Sequence, residues 1–228
     1  MTGTGEALAA GWAAAGDLMA IGGPAIWAIA VLSVVAVALS LWKLWRFARA
    51  GLWAGGRARR AVALWLDGHE GEAVELAGAA TGLRARAVAA AMRARLDARL
   101  TPPAAEAEAE RVARGLLAEA ARGLRALDLI ATIAPLLGLL GTVLGMIEAF
   151  RTLQAAGARA DPAALAGGIW EALLTTAAGM AVAIVATVAL AWFEGMLDRL
   201  RQDIEDMGTR VLQNPRAEAP ARPRLVEP

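Results

Sequence analysis

The sequence predicts an all-α membrane protein with three transmembrane helices, the second and third extended far into the cytoplasm. Three observations carry this. The chain is 58% hydrophobic with a mean hydropathy of +0.49, more apolar than an ordinary soluble domain of 228 residues. Its apolar residues gather into three runs, Leu18–Trp42, Leu129–Ile147 and Ala172–Phe193, none of which contains Asp, Glu, Lys, Arg or His. Those runs are 25, 19 and 22 residues long, against the roughly 20 needed to cross a hydrocarbon core.

Residues 1–20 are alanine-rich and read as a periplasmic amphipathic segment. They hold Glu6 and Asp17 but no Lys or Arg before the first apolar run. A secretory signal has the opposite charge and a shorter core, so the first span is expected to be kept. Gly22-Gly23-Pro24 breaks the chain ahead of span one, residues 21–43, with Pro24 suited to a first helical turn. Residues 44–127 form a cytoplasmic helical region with turn signals at Gly55-Gly56, Gly68, Gly71 and Thr81-Gly82. Within it, Thr101-Pro102-Pro103 reads as a capped helix start. The amphipathic pattern after it meets no strong stop before Phe150. It predicts one helix of about 45 residues, about 65 Å long, that runs into span two.

Span two covers residues 128–149, where Pro135 is expected to bend the helix. A short periplasmic connection follows at 150–169, then span three at 170–193, a charged cytoplasmic helix at 194–213, and a proline-rich disordered tail at 214–228. Orientation follows from charge. Residues 43–127 hold 15 Lys/Arg, including Lys43, Arg46 and Arg49 directly after span one, whereas 149–170 holds two, Arg151 and Arg159. The positive-inside rule puts the N-terminus in the periplasm and the C-terminus in the cytoplasm of a bacterial inner membrane. Trp27, Trp42, Trp45, Trp170 and Trp192 mostly fall near span ends, as interfacial anchors do.

Span two carries small residues along one line: Ala131, Ala134, Gly138, Gly141, Thr142, Gly145 and Ala149. Span three has a looser stripe of Ala172, Thr176, Gly179, Ala183 and Thr187. Lipid supplies no hydrophobic force between helices, so small residues that let backbones approach read as a packing seam. Thr142 and Thr176 have two readings, bonding to their own helix or lining a narrow polar pore. Glu148 and Glu171 stand at the same periplasmic level. Glu148 reads as an interfacial acid, whereas Glu171 sits inside a continuous apolar pattern, where an acid faces a bundle interior or a wet cavity. By helical phase Glu171 lies about 140° from Thr176 but close to Thr175. Asp128 reads as a solvated end residue.

Other chemistries find no support. The chain has no cysteine, and its one histidine, His69, lies in a polar turn, DGHEGE. No zinc-protease helix, phosphate-cradling loop or nucleophile–base set is present in the sequence. No enzyme activity, metal, cofactor or nucleic-acid partner is expected.

The segments LDLIATIAPLLGLLGTVLGMIEAF and IWEALLTTAAGMAVAI resemble the second and third membrane helices of the ExbB/TolQ branch of the MotA/TolQ/ExbB proton channel family. GGPAIWAIAVLSVVAVALSLWKLWRF resembles its first helix. The resemblance implies that Thr142 and Thr176 take the places of the family's pore threonines, and Glu171 that of the pore glutamate. It also implies a homo-oligomeric ring, commonly a pentamer, around a single-span ExbD/TolR-like partner with a membrane aspartate, working with a TonB/TolA-like protein. Two positions depart from the family: Val185 stands where many members have proline, and Trp42-Lys43 replaces an acidic–basic pair. A non-conducting membrane scaffold is the alternative reading, and a four-span flagellar stator is disfavoured by the three spans.

Overall fold

The computed structural model describes residues 23–51, 55–157 and 161–214. The segment 1–20, Arg159 and all of the tail after Asn214 lie outside them. Among the described residues the chain forms seven helices and no strand: α1 Gly23–Arg49, α2 Gly56–Leu66, α3 Glu70–Gly78, α4 Leu83–Leu96, α5 Pro102–Ala121, α6 Leu124–Ala156 and α7 Pro162–Leu212. Helices α1, α6 and α7 are long and apolar enough to cross a membrane. The described residues divide into two compact units, one built from 23–41 with 123–157 and 161–192, the other from 42–51 and 55–122 with 193–214.

In the first unit many large apolar side chains point outward, although Ile26, Ile29, Leu127 and Ile130 are buried. Val31, Val34, Leu136, Leu139, Ile184 and Val185 are all more than half exposed, while Ala134, Ala172, Ala183 and Ala186 are buried. This is the inverse of a water-soluble core, and it suits helices whose outer surface meets hydrocarbon.

The second unit has an ordinary core. Ala58, Ala61, Val62 and Trp65 of α2 pack with Ala73 and Ala77 of α3, Val88, Ala89 and Met92 of α4, and Met207 and Val211 of α7. Trp65 is the largest buried side chain, and its Nε1 donates to the Val211 carbonyl at 3.1 Å. Asn214, placed by the sequence at the start of the tail, is buried and donates through Nδ2 to the Trp65 carbonyl at 3.4 Å. Arg84 pairs with Asp203 at 2.6 Å. On the surface, the Arg111 guanidinium bonds both Glu108 oxygens at 2.7 Å and holds that carboxyl below its ordinary range.

Several boundaries differ from the sequence expectation. The single helix expected from Thr101 to Phe150 is broken: α5 ends at Ala121, and Gly123 takes φ +89°, a left-handed conformation that favours glycine. The carbonyls at that end are met by the end of α1. Buried Lys43 donates through Nζ to the carbonyls of Ala120 at 2.5 Å and Arg122 at 2.6 Å. Arg46 adds a bond to the Glu119 carbonyl at 3.0 Å and an ion pair with its carboxylate at 3.3 Å. A helix C-terminus leaves its last carbonyls without partners and carries partial negative charge, so two cations suit it. Thr101 stands at the start of α5 but makes no capping hydrogen bond.

The expected connection at 150–169 is mostly helical. Helix α6 runs on to Ala156, and α7 starts at Pro162, where Asp161 Oδ1 accepts from the Ala163 N–H at 2.9 Å. An aspartate cap followed by proline is a sufficient start signal. Gly71, expected at a turn, lies in the first turn of α3. Helix α6 passes through Pro135 unbroken.

Candidate functional site

The site lies where α6 and α7 run antiparallel within the first unit. Their contact can be followed glycine by glycine. A methyl added to Gly138 would lie 3.0 Å from the Thr175 carbonyl oxygen and from the Thr176 Cα. On Gly145 it would lie 2.9 Å from the Ala172 Cβ, and on Gly168, 2.8 Å from the Ala149 Cβ. On Gly179 it would lie 2.5 Å from the Ala134 carbonyl oxygen. Gly141 faces the Thr175 side chain, whose Cβ would be 2.8 Å from the added methyl, with Ala25 of α1 nearby. Gly138 and Gly179 therefore stand where backbone meets backbone, while Gly141, Gly145 and Gly168 seat a facing threonine or alanine side chain. They let the two helices approach more closely than any side chain allows.

That approach brings two hydroxyls to one carbonyl. Thr176 Oγ1 donates to the Gly138 carbonyl at 2.8 Å. Thr175 Oγ1 lies 3.3 Å from the same oxygen and 2.7 Å from the Ala172 carbonyl of its own helix. Thr175 is buried and Thr176 half-buried. Thr142 lies off this seam: its Oγ1 donates to the Leu139 carbonyl of its own helix at 2.6 Å. Pro135, half-buried one turn from Gly138, has no N–H to offer the Ala131 carbonyl.

The carboxylates gather at one end of the seam. Glu148 and Glu171 line a cleft of about 210 Å³ together with Gly141, Gly145, Ala172 and Thr175. They also line an adjoining cleft of about 380 Å³ that includes Asp161. Glu171 is half-buried. The structure thus joins Glu171, Thr175 and Thr176 along one helix pair, and leaves Thr142 on another face of the same chain.

One feature differs from the sequence expectation. Thr187, expected in the seam, is exposed, and its neighbour Ala186 is buried. Glu148 is exposed, and it also lines both clefts with Glu171. The spacing Glu148 to Gly145 to Gly141, one residue per helical turn, is the signal in the sequence that points to this placement. Among the described residues no group of three or more His, Asp or Glu side chains is arranged to hold a metal ion.

Residues 79–206, which include α6 and most of α7, match the model of the MotA/TolQ/ExbB proton channel family. The chain belongs to that family. The family is one of channel subunits, not enzymes. Among curated relatives, an ExbB homolog from Methanothermobacter thermautotrophicus is 48% identical over 77 residues, 34% of this chain and 26% of the relative. Biopolymer transport protein exbB1 of Vibrio cholerae is 45% identical over 83 residues, 36% of each chain. Biopolymer transport protein ExbB of Neisseria gonorrhoeae is 41% identical over 85 residues, 37% of this chain and 38% of the relative. The chain therefore matches about a quarter to two-fifths of the length of these relatives. It is an ExbB-like member of the family.

Proposed function

We propose that this chain is the proton-channel subunit of an inner-membrane motor of the ExbB–ExbD or TolQ–TolR type. It uses the proton motive force to energise TonB-dependent uptake or Tol-Pal envelope maintenance. The observation that carries the proposal is the meeting of the Thr175 and Thr176 hydroxyls at the Gly138 carbonyl, beside a cleft lined by Glu171 and Glu148. A polar row between two spans that are otherwise free of charge is the arrangement a guarded proton path needs.

The same chemistry requires a partner. The runs Leu129–Ile147 and Ala172–Phe193 hold no ionisable side chain. Threonine can hydrogen-bond a proton carrier but cannot hold a proton at membrane depth, so this chain alone leaves a gap of about 30 Å across span three. A single-span ExbD/TolR-like protein with a membrane aspartate supplies the missing carboxylate. A homo-oligomeric ring of this chain, a pentamer, encloses it, and a TonB/TolA-like protein takes up the motion. In this reading the N-terminus is periplasmic, the C-terminus is cytoplasmic, and Glu171 collects protons at the periplasmic mouth. Thr142, turned away from the seam of its own protomer, lines the ring interior.

The test is proton uptake in cells that co-express the partner. Glu171→Ala and Thr176→Val are each expected to reduce flux at least tenfold, as losses of groups in a relay do. Wild-type flux in both would overturn the proposal and leave a non-conducting scaffold.

A further inference from the structure

The end of α1 is sorted into two faces. Lys43 and Phe47, one turn apart, point inward; Phe47 is 1% exposed and packs edge-on against Phe193 at 5.6 Å. Trp42, Trp45, Arg46 and Arg49 occupy the other side. Trp42 is 43% exposed and Trp45 56%. Each tryptophan carries an arginine from the next turn: Arg46 lies over Trp42 at 5.4 Å, and Arg49 over Trp45 at 4.5 Å.

The two pairs are not equivalent. Arg46 is committed to Glu119. Arg49 is exposed and makes no hydrogen bond or ion pair among the described residues. A guanidinium laid on an aromatic face is held by its π cloud, while its in-plane N–H groups stay directed outward. That edge matches two oxygens of a phosphate. The chain that follows is basic. From Lys43 to Leu66 the chain has six Lys/Arg and no Asp or Glu, and Arg57, Arg59 and Arg60 of α2 are all exposed.

We infer that Trp45 and Arg49 form a binding site for the headgroup of an anionic phospholipid at this end of α1. The indole sits at interfacial depth and the guanidinium takes the phosphate. Arg57, Arg59 and Arg60 add the long-range attraction that distinguishes an anionic lipid from a zwitterionic one. A second copy presenting its own α1 is a poorer occupant of this face, because α1 contains no acidic residue to meet Arg49. The inference rests on the membrane placement of α1 and not on proton conduction.

The experiment uses the purified full chain in neutral detergent. Its melting temperature is followed during titration with dioleoylphosphatidylglycerol, dioleoylphosphatidylcholine or inorganic phosphate. Phosphatidylglycerol is expected to stabilise at lower concentration than phosphatidylcholine, and inorganic phosphate not at all. Arg49→Gln is expected to weaken the phosphatidylglycerol midpoint about fivefold, the effect of one basic residue at an anionic surface. Trp45→Leu, which keeps the charge but removes the stacking face, is expected to give a smaller loss. Arg114→Gln, an exposed arginine on α5, serves as the control and is expected to leave the midpoint in place. Equal response to the two lipids overturns the inference, as does protection by inorganic phosphate or an unchanged midpoint in Arg49→Gln. A change of oligomeric mass in Arg49→Gln with lipid preference intact also overturns it, and assigns the face to a second copy.

Discussion

The α6/α7 seam and the α2–α4 bundle are both built from small residues, yet they are held by different forces. In the bundle, alanines bring helices together around Trp65 and Met92, and burial of apolar surface away from water provides the drive. In the seam the small residues expose backbone. Gly138 and Gly179 stand against carbonyl oxygens and α-carbons of the facing helix, and the hydrogen bonds are hydroxyl to carbonyl. The ion pairs are divided the same way: Arg84–Asp203 and Arg46–Glu119 belong to the second unit, while the seam has hydroxyls instead. The bundle is therefore sensitive to lost volume and the seam to added volume.

Five substitutions test that contrast. Trp65→Ala should have the largest effect, about 3–5 kcal/mol, because it empties the centre of the bundle and removes the bond to Val211. Chemical denaturation in detergent measures it, and a loss under about 1 kcal/mol would show that the bundle is not held by its core. Gly179→Val tests the seam. Its Cβ would strike the Ala134 carbonyl, and about 1–3 kcal/mol of overpacking is expected. A melting curve unchanged from wild type would mean that α6 and α7 do not approach as closely as described.

Lys43→Met addresses the end of α5. It leaves the Ala120 and Arg122 carbonyls without their buried donor and is expected to destabilise by about 1–3 kcal/mol. Hydrogen exchange should rise in the last turn of α5; equal protection in the variant would remove Lys43 from that role. The smallest effect has the opposite sign. Gly195 of α7 has open space where a side chain would be, so Gly195→Ala should stabilise by about 0.5–1 kcal/mol through helix propensity alone. The paired measurement, Gly179→Ala, should destabilise. If both glycines respond alike, seam and non-seam positions are not distinguishable.

The contrast also separates what the sequence could reveal from what it could not. The three spans were legible because a stretch of about 20 residues without a charge is rare in a chain that folds in water. The glycine line of α6 was legible from its helical period. Thr175 and Thr176 are adjacent, and a period of 3.6 residues cannot say which of two neighbours turns further inward. The structure buries Thr175 more deeply and gives Thr176 the shorter bond to Gly138. Lys43 was legible only as one of several basic residues after span one, since its acceptors lie 77 and 79 residues away. The break at Gly123 was hidden because AARGLRAL keeps its amphipathic pattern across the glycine, and only the φ of +89° marks it. Asp161-Pro162, by contrast, carried an ordinary start signal inside a segment read as a connection.

The side-chain-free faces of the seam have an entropic consequence. A leucine or methionine buried between helices gives up rotamers when the helices meet, at about 0.5–2 kcal/mol each. Gly138, Gly141, Gly145 and Gly179 have none to give up. Along this stretch, docking α6 on α7 therefore freezes little torsional freedom beyond that of the two threonines, and the pair closes there as two preformed rods whose fit is set by shape before any side chain has to choose a conformation.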